Sequence, residues 1–293
     1  MFTKLLAATE TPVYCDECVA TAFRIAERHD AKVLVLHVLE SDTPLYRNYV
    51  RHFRTGEEII ASSAYIAEVT QELERQCAAA VQPPTDFRIK VRTGLPWEEI
   101  LRTARNENVD LILMNPRARN ADKKRIGSTV GGVIRRERCP VTIVNQFPSS
   151  EQLEFQKLMV CIDFSPSCEQ ALDFAVKLAQ VYESKIDAFH VMTNHPDQTA
   201  AHRTRERLES LCADIPNRIP QEVILVKGSQ PHLEILRAAR DHAIDMLVMG
   251  SHTKPAGTKW YLGGVVERVS SRSPCPVTVV TDPKAIKRWA GIQ

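Results

Sequence analysis

The feature that most constrains this chain is an internal repeat. Three pairs of segments carry the similarity: Lys4–Glu10 with Lys157–Asp163, Glu99–Arg105 with Glu234–Arg240, and Cys139–Val144 with Cys275–Val280. The paired residue numbers differ by 153, then 135, then 136, so the halves differ mainly in the lengths of their connecting segments. Self-similarity on this scale indicates a duplication. We therefore predict two domains, residues 1–147 and 156–283, joined by a polar linker around Pro148–Ser150.

Each half alternates short apolar runs with longer amphipathic stretches. In the second half the runs are Lys157–Ile162, Lys185–Val191, Glu222–Val226, Asp245–Met249 and Pro276–Val280. Nearly continuous apolar runs are typical of strands covered on both faces. Between them, Cys168–Tyr182 and Leu233–His242 have helical periodicity, and Ser165-Pro166 supplies an N-cap and a first-turn proline. Alternating strands and helices predict an α/β fold of two tandem doubly wound five-stranded parallel sheets.

The last strand of each half is predicted to be a short apolar edge, at Pro140–Val144 and at Pro276–Val280. Unpaired edges favour association. We therefore expect the halves to pack with pseudo-two-fold symmetry as an internal pseudo-dimer, with further homodimerisation left open.

Composition narrows the function classes. Thirty-eight Lys and Arg residues against 36 Asp and Glu residues give a formal charge of +2, which favours neither a nucleic-acid nor a membrane-surface partner. The start, Met1–Glu10, resembles a buried strand rather than a secretory signal, and no apolar run approaches the roughly 20 residues of a membrane span. We interpret the eight cysteines as reduced thiols, because the chain does not resemble a small disulfide-bonded secreted domain. We therefore expect a cytoplasmic protein.

Ligands of doubly wound sheets bind beyond the carboxyl ends of the strands, where the strand order reverses. In the second half those ends are Asp163, Val191 and the segment from Gly250 into the helix that follows Gly263-Gly264. A glycine-containing loop that leads into a helix presents backbone N–H groups suited to phosphates. The pattern alone is not specific, because such glycines usually serve tight turns.

These motifs resemble those of the universal stress protein family, over nearly the whole chain, twice. The second half matches the family pattern in Asp163-Phe-Ser165, His190-Val191, Gly250-Ser-His-Thr253, a nine-residue gap, Gly263-Gly264 and Pro276-Val277. The resemblance implies a Rossmann-like fold of the adenine nucleotide alpha hydrolase type. It also implies that Asp163 and Val191 hold adenosine of ATP or another adenine nucleotide, and that Gly250, Thr253, Gly263 and Gly264 surround the phosphates.

Two residues depart from the family pattern in the second half. Thr253 stands where the family has a second glycine, which adds a Cβ at a cost of about 1–2 kcal/mol if the backbone is left-handed. Gly264 replaces a hydroxyl residue and so loses a hydrogen bond worth about 1.5–3 kcal/mol. We expect both to lower the affinity for nucleotide.

The first half departs further. Glu10 replaces the aspartate, Asn115-Pro-Arg-Ala118 replaces the glycine motif, and only Gly127-Ser128 remains. This predicts a degenerate half kept for packing. The loop before Gly127 contains five cations, which are an alternative site for a different anion: Arg117, Arg119, Lys123, Lys124 and Arg125. A run of charges on a loop is more often simply solvated.

Other candidate motifs favour structural interpretations. Cys15-Asp-Glu-Cys18 lies at a predicted helix start, where a helix dipole would lower thiol pKa values, but no second pair at a zinc-like spacing accompanies it. His37 and His190 occupy equivalent strand ends, so a structural role in the repeated fold explains the presence of both histidines. The sequence contains no nucleophile elbow and no P-loop ending, so a catalytic role is not expected.

The leading hypothesis is a cytoplasmic stress-response protein that binds an adenine nucleotide in its second half and signals through an unidentified protein partner. The first alternative is an interaction module of the same fold that binds no nucleotide. The second is an enzyme, either a slow ATP hydrolase acting through Asp163 or a thiol redox protein using Cys15 and Cys18.

Overall fold

The computed structural model describes residues 1–13, 15–41, 49–80, 85–116, 126–146, 152–193, 197–251, 254–256, 259–261 and 263–281. For residues 254–256 and 259–261 it describes the backbone only. The chain divides into two compact units, built mainly on residues 2–147 and 148–293. The pseudo-two-fold packing of the halves stays a prediction.

The first unit contains β1 (Lys4–Thr9), α1 (Glu17–His29), β2 (Lys32–Glu40), β3 (Tyr49–Arg51), β4 (Glu58–Ile60), α2 (Ser63–Ala80), β5 (Phe87–Gly94), α3 (Pro96–Glu107), β6 (Leu111–Met114), α4 (Ser128–Ile134) and β7 (Val141–Ile143). Its sheet is parallel, with the order β5-β2-β1-β6-β7. The strands β3 and β4 form a separate antiparallel hairpin.

The second unit follows a 3-10 turn at Gln152–Glu154 and contains β8 (Lys157–Cys161), α5 (Pro166–Tyr182), β9 (Lys185–Met192), α6 (Gln198–Cys212), β10 (Gln221–Lys227), α7 (Pro231–Asp241), β11 (Met246–Ser251), β12 (Lys254–Ala256), β13 (Lys259–Tyr261), α8 (Gly264–Ser270) and β14 (Val277–Thr281). Its parallel sheet has the order β10-β9-β8-β11-β14. The two tandem doubly wound sheets are thus confirmed.

The predicted strands of the second half are all present, with ends that differ by at most two residues. They form because their apolar runs are buried on both sheet faces, as in β8, where Leu158, Met159 and Val160 are fully buried. The helix α5 begins where Ser165-Pro166 predicts, and the Ser165 hydroxyl accepts a hydrogen bond from the Cys168 N–H at 3.3 Å.

The first helices of the two units begin at different points. By the repeat, Pro166 at the start of α5 corresponds to Val13, yet α1 begins four residues later, at Glu17. Its N-cap is Asp16, whose carboxylate accepts the Val19 N–H at 3.1 Å and the Thr9 hydroxyl at 2.7 Å. The helix α1 therefore begins about one turn later than its counterpart α5.

Candidate functional site

The switch point of the second unit lies between β8 and β11. The strand β8 has β9 on one side and β11 on the other, so the segments that leave the carboxyl ends of these strands diverge and open a crevice. Asp163 follows the end of β8 and is exposed. Its Oδ1 accepts hydrogen bonds from the Ser165 N–H at 3.1 Å and the Ser165 hydroxyl at 2.5 Å, which fix the carboxylate at the edge of the crevice.

A chain of contacts links Asp163 to Gly250 across the switch point. The Ser165 hydroxyl that bonds Asp163 lies 3.1 Å from the Ser167 hydroxyl. A Cβ added to Gly250 would lie 2.5 Å from the Ser167 carbonyl carbon and 2.6 Å from the Cys168 nitrogen. The structure thus brings together two of the residues assigned to the nucleotide.

Gly250 is placed one residue further into regular structure than the sequence indicates, and its nucleotide contact stays a prediction. It lies within the strand β11, paired with Val280 of β14, and not in the loop that follows. Glycine is required there because the first turn of α5 approaches the strand too closely for any side chain. Asn115 takes this position in the first unit, where the helix α1 begins only at Glu17. The exchange of glycine for asparagine and the later start of α1 therefore fit one steric explanation.

Val191 lies near the end of β9, half-buried and in register with Val226 of β10. The neighbouring strand β8 ends beside it, because Cys161 pairs with Phe189 and the Ile162 N–H donates to the Phe189 carbonyl at 2.8 Å. Val191 is therefore placed on the strand adjacent to Asp163, as the sequence predicts.

Gly263 and Gly264 stand at the N-cap and first position of α8, and both are exposed. Gly263 has a φ of −55°, which any residue adopts, and a Cβ added to Gly264 would meet no atom of the described residues within 4 Å. Thr253 lies outside the described residues. The segment predicted as a loop contains the antiparallel strands β12 and β13.

Phe164 is a feature that sequence reasoning missed. Its φ of 61° is left-handed, a conformation that costs a non-glycine residue about 1–2 kcal/mol. The ring is held by the His190 imidazole, with centroids 4.8 Å apart, and by the Arg207 guanidinium, 4.1 Å from the ring centroid. These contacts stabilise the turn that carries Asp163.

The two strand-end histidines make the same hydrogen bond. Nδ1 of His37 lies 3.2 Å from the Thr9 carbonyl, and Nδ1 of His190 lies 2.8 Å from the equivalent Ile162 carbonyl. Each imidazole therefore ties the end of the second strand to the end of the first, which supports the structural interpretation. Burial lowers the pKa of His37 to about 4, so its ring is neutral at pH 7.

The prediction of lowered thiol pKa values at Cys15 and Cys18 is wrong. Cys15 precedes the helix α1, and burial, followed by the charges of Asp16 and Glu17, raises its pKa to about 12. Burial likewise raises the pKa of Cys18 well above the ordinary thiol value. Cysteine, histidine and carboxylate side chains do not converge into a possible metal site anywhere in the described part of the chain.

The first unit, which the sequence predicts to be a degenerate half kept for packing, contains a cleft. It has a volume of about 830 Å³ and opens at the carboxyl ends of β1, β2 and β6, with the β3–β4 hairpin as one wall. A signal for it exists in the sequence: 22 residues separate β2 from α2, whereas five separate β9 from α6. The drop in repeat offset from 153 to 135 records this insertion.

Fold and site together define a tandem doubly wound α/β protein, with its candidate ligand crevice at the sheet's switch point. The model of the universal stress protein family matches residues 1–145 and 154–281. The chain belongs to the universal stress protein family.

Relatives span both halves. A universal stress protein of Mycolicibacterium smegmatis is 24% identical over 292 residues, covering 94% of this chain and 96% of that protein. A universal stress protein of Methanothermobacter thermautotrophicus is 26% identical over 145 residues, 49% of this chain and 96% of the relative. The crystal structure of a universal stress protein from Archaeoglobus fulgidus covers 95% of this chain and 96% of its own, with 21% identity and a TM-score of 0.66, which shows the shared fold.

Among the residues that the structure describes, no helix combines the length and apolarity needed to cross a membrane.

Proposed function

We propose that this chain is a cytoplasmic stress-response protein that binds an adenine nucleotide in the crevice of its second unit and acts by binding a protein partner. The observation that carries the proposal is the contact chain from Asp163 through Ser165 and Ser167 to Gly250. It joins the ends of the two strands that flank the switch point, where ligands of such sheets bind. The adjoining Val191 offers an apolar surface for a base or sugar.

The phosphates are assigned to the open side of this crevice. Gly263 and Gly264 are exposed, and an added Cβ at Gly264 would meet no atom of the described residues within 4 Å, which supports this assignment. The repeat places Ser128 at the position of Gly264 in the first unit, which shows that a hydroxyl residue is compatible with this helix start.

We propose binding rather than turnover. Efficient hydrolysis requires a positioned base or a metal. Asp163 is the acidic group at the crevice, and its Oδ1 is engaged by the turn at Ser165. The eight cysteines are free thiols, as expected for a protein of the cytosol.

Isothermal titration of the full chain with ATP and with adenosine tests the proposal. We expect Asp163→Ala to abolish binding of both ligands, while the matched variant Glu10→Ala, at the equivalent position of the first unit, leaves binding unchanged. The opposite pattern would assign the nucleotide to the first unit. No binding of ATP by the wild type would favour the alternative, an interaction module that does not bind nucleotide.

Gly264→Ser tests the phosphate assignment separately. The added hydroxyl should strengthen ATP binding about tenfold, near the lower limit for a hydrogen bond to a charged group, and should leave adenosine binding unchanged. An equal effect on both ligands would show that the substitution acts through the fold. Phosphate release measured alongside should stay at the level of the protein-free control.

A further inference from the structure

The β3–β4 hairpin of the first unit is a fixed wall. Its inner face, Val50 and Ile59, packs against a buried cluster that includes Leu39, Val69 and Leu73. The Tyr65 hydroxyl of α2 accepts the Phe53 N–H at 2.9 Å and donates to the Arg51 carbonyl at 3.4 Å. The hairpin is therefore anchored by apolar packing on one face and by hydrogen bonds at its tip.

The outer face of this hairpin lines the 830 Å³ cleft through Tyr49, Arg51 and Glu58. Tyr49 keeps 46% of its surface exposed although it is a large aromatic residue. The cleft floor beneath it includes the apolar side chains of Leu36, Val38 and Met114. A volume within the range of about 300–1,000 Å³ and an apolar lining with a few polar groups are typical of small-molecule sites.

The polar groups deep in the cleft are hydrogen-bond acceptors. Asn115 lines the cleft, and its buried Oδ1 has no hydrogen-bond partner among the residues that the structure describes. His37 also lines it and is 95% buried, since its exposed fraction is 5%. Because its Nδ1 faces the Thr9 carbonyl and therefore carries the proton, Nε2 is left as an acceptor. A buried acceptor without a donor is unfavourable, so a ligand donor that faces the Asn115 Oδ1 would stabilise the site.

Within the described part of the first unit, the lining of the cleft is more acidic than basic. Among the lining residues that the structure describes, the carboxylates of Glu10, Glu40 and Glu58 stand against the single guanidinium of Arg51. Asn115 moreover fills the position that is glycine in the second unit. The two units thus present crevices of different chemistry at equivalent positions.

We propose that the hairpin-walled cleft of the first unit binds an uncharged or cationic amphipathic small molecule. An apolar ring or chain lies against Tyr49 and the strand ends, while hydroxyl, amide or ammonium donors face Asn115, His37 and the rim carboxylates. This site is separate from the nucleotide crevice proposed for the second unit.

Two fluorescent probes test this inference. N-phenyl-1-naphthylamine and its 8-sulfonate share one apolar body and differ only in the charged group. In fluorescence titrations of the full chain we expect the uncharged probe to bind saturably and at least about tenfold more tightly than the sulfonate, which corresponds to about 1.4 kcal/mol. Saturating ATP should not displace it. Comparable or tighter binding of the sulfonate, or competition by ATP, would overturn the proposal.

Variants locate the probe. Tyr49→Ala should weaken binding of the uncharged probe five- to tenfold, whereas Ile60→Ala should leave it unchanged, because Ile60 pairs with Tyr49 on the same hairpin and is also exposed but does not line the cleft. The double variant Glu10→Gln, Glu58→Gln should raise sulfonate affinity severalfold and provides a second test should Tyr49→Ala unfold. Unchanged affinities in all folded variants would show that the probe binds elsewhere and would refute the assignment.

Discussion

The requirement for glycine at position 250 yields a quantitative prediction. In Gly250→Ala the new Cβ would lie 2.5 Å from the Ser167 carbonyl carbon and 2.6 Å from the Cys168 nitrogen. These are backbone atoms of the first turn of α5, so no rotamer change relieves the clash, and strand and helix must separate by nearly 1 Å to reach normal contact distance. Overpacking of this kind costs about 1–3 kcal/mol, and the rigid backbone places this case near the upper value.

A stabilising effect that acts through the unfolded chain partly offsets this loss of stability. Replacing glycine by alanine stabilises a compatible site by about 0.4–1 kcal/mol, because the unfolded chain loses conformational freedom. The expected net loss for Gly250→Ala is therefore about 2 kcal/mol. Gly264→Ala is the matched control, since its Cβ would meet no atom of the described residues within 4 Å, and it should be neutral or stabilising by about 0.5 kcal/mol.

Urea and thermal unfolding of the two variants and the wild type measure the difference. At about 2–4 °C per kcal/mol, the transition of the second unit should fall by roughly 4–8 °C in Gly250→Ala and should not fall in Gly264→Ala. Equal midpoints for the two variants would refute the steric explanation of Gly250. They would return this residue to the loop role that the sequence suggests.

The remaining predictions concern pH and thiol chemistry. Because the folded pKa of His37 is about 4 and the unfolded value is near 6.5, the unfolded state binds more protons between these pH values, so stability falls as pH decreases through this window. Between pH 7 and pH 5 this amounts to about 2 kcal/mol, and His37→Gln should lose correspondingly less in urea unfolding; an identical pH dependence in the variant would contradict the cause. With a Cys15 pKa of about 12 and Cys18 buried, neither thiol should react with a disulfide reagent within minutes at pH 7.5, with or without chelator. Rapid reaction that Cys15→Ser removes would restore the redox alternative.

Much of the fold was predictable from local pattern. The strands of the second half and the N-cap at Ser165 were predicted within two residues, because continuous apolar runs and capping residues act over short stretches of chain. The repeat extended the same architecture to the first half. Asp163, Val191 and the glycines were identified by resemblance to the family, and the placement of Asp163, Val191 and Gly250 at strand ends follows from the parallel topology.

The sequence by itself determined the fold class, the duplication and the carboxyl-end location of the crevice, since each depends on periodicity or on residues near one another in the chain. Only the tertiary structure decided why Gly250 is glycine, because its constraint comes from Ser167, more than eighty residues away in the chain. The cleft of the first unit likewise depends on tertiary contacts. Its wall is held by packing between the β3–β4 hairpin and α2, and its floor combines residues of three strands. Such contacts join segments that no local pattern relates, which is why the sequence shows only an insertion and the structure shows a cleft.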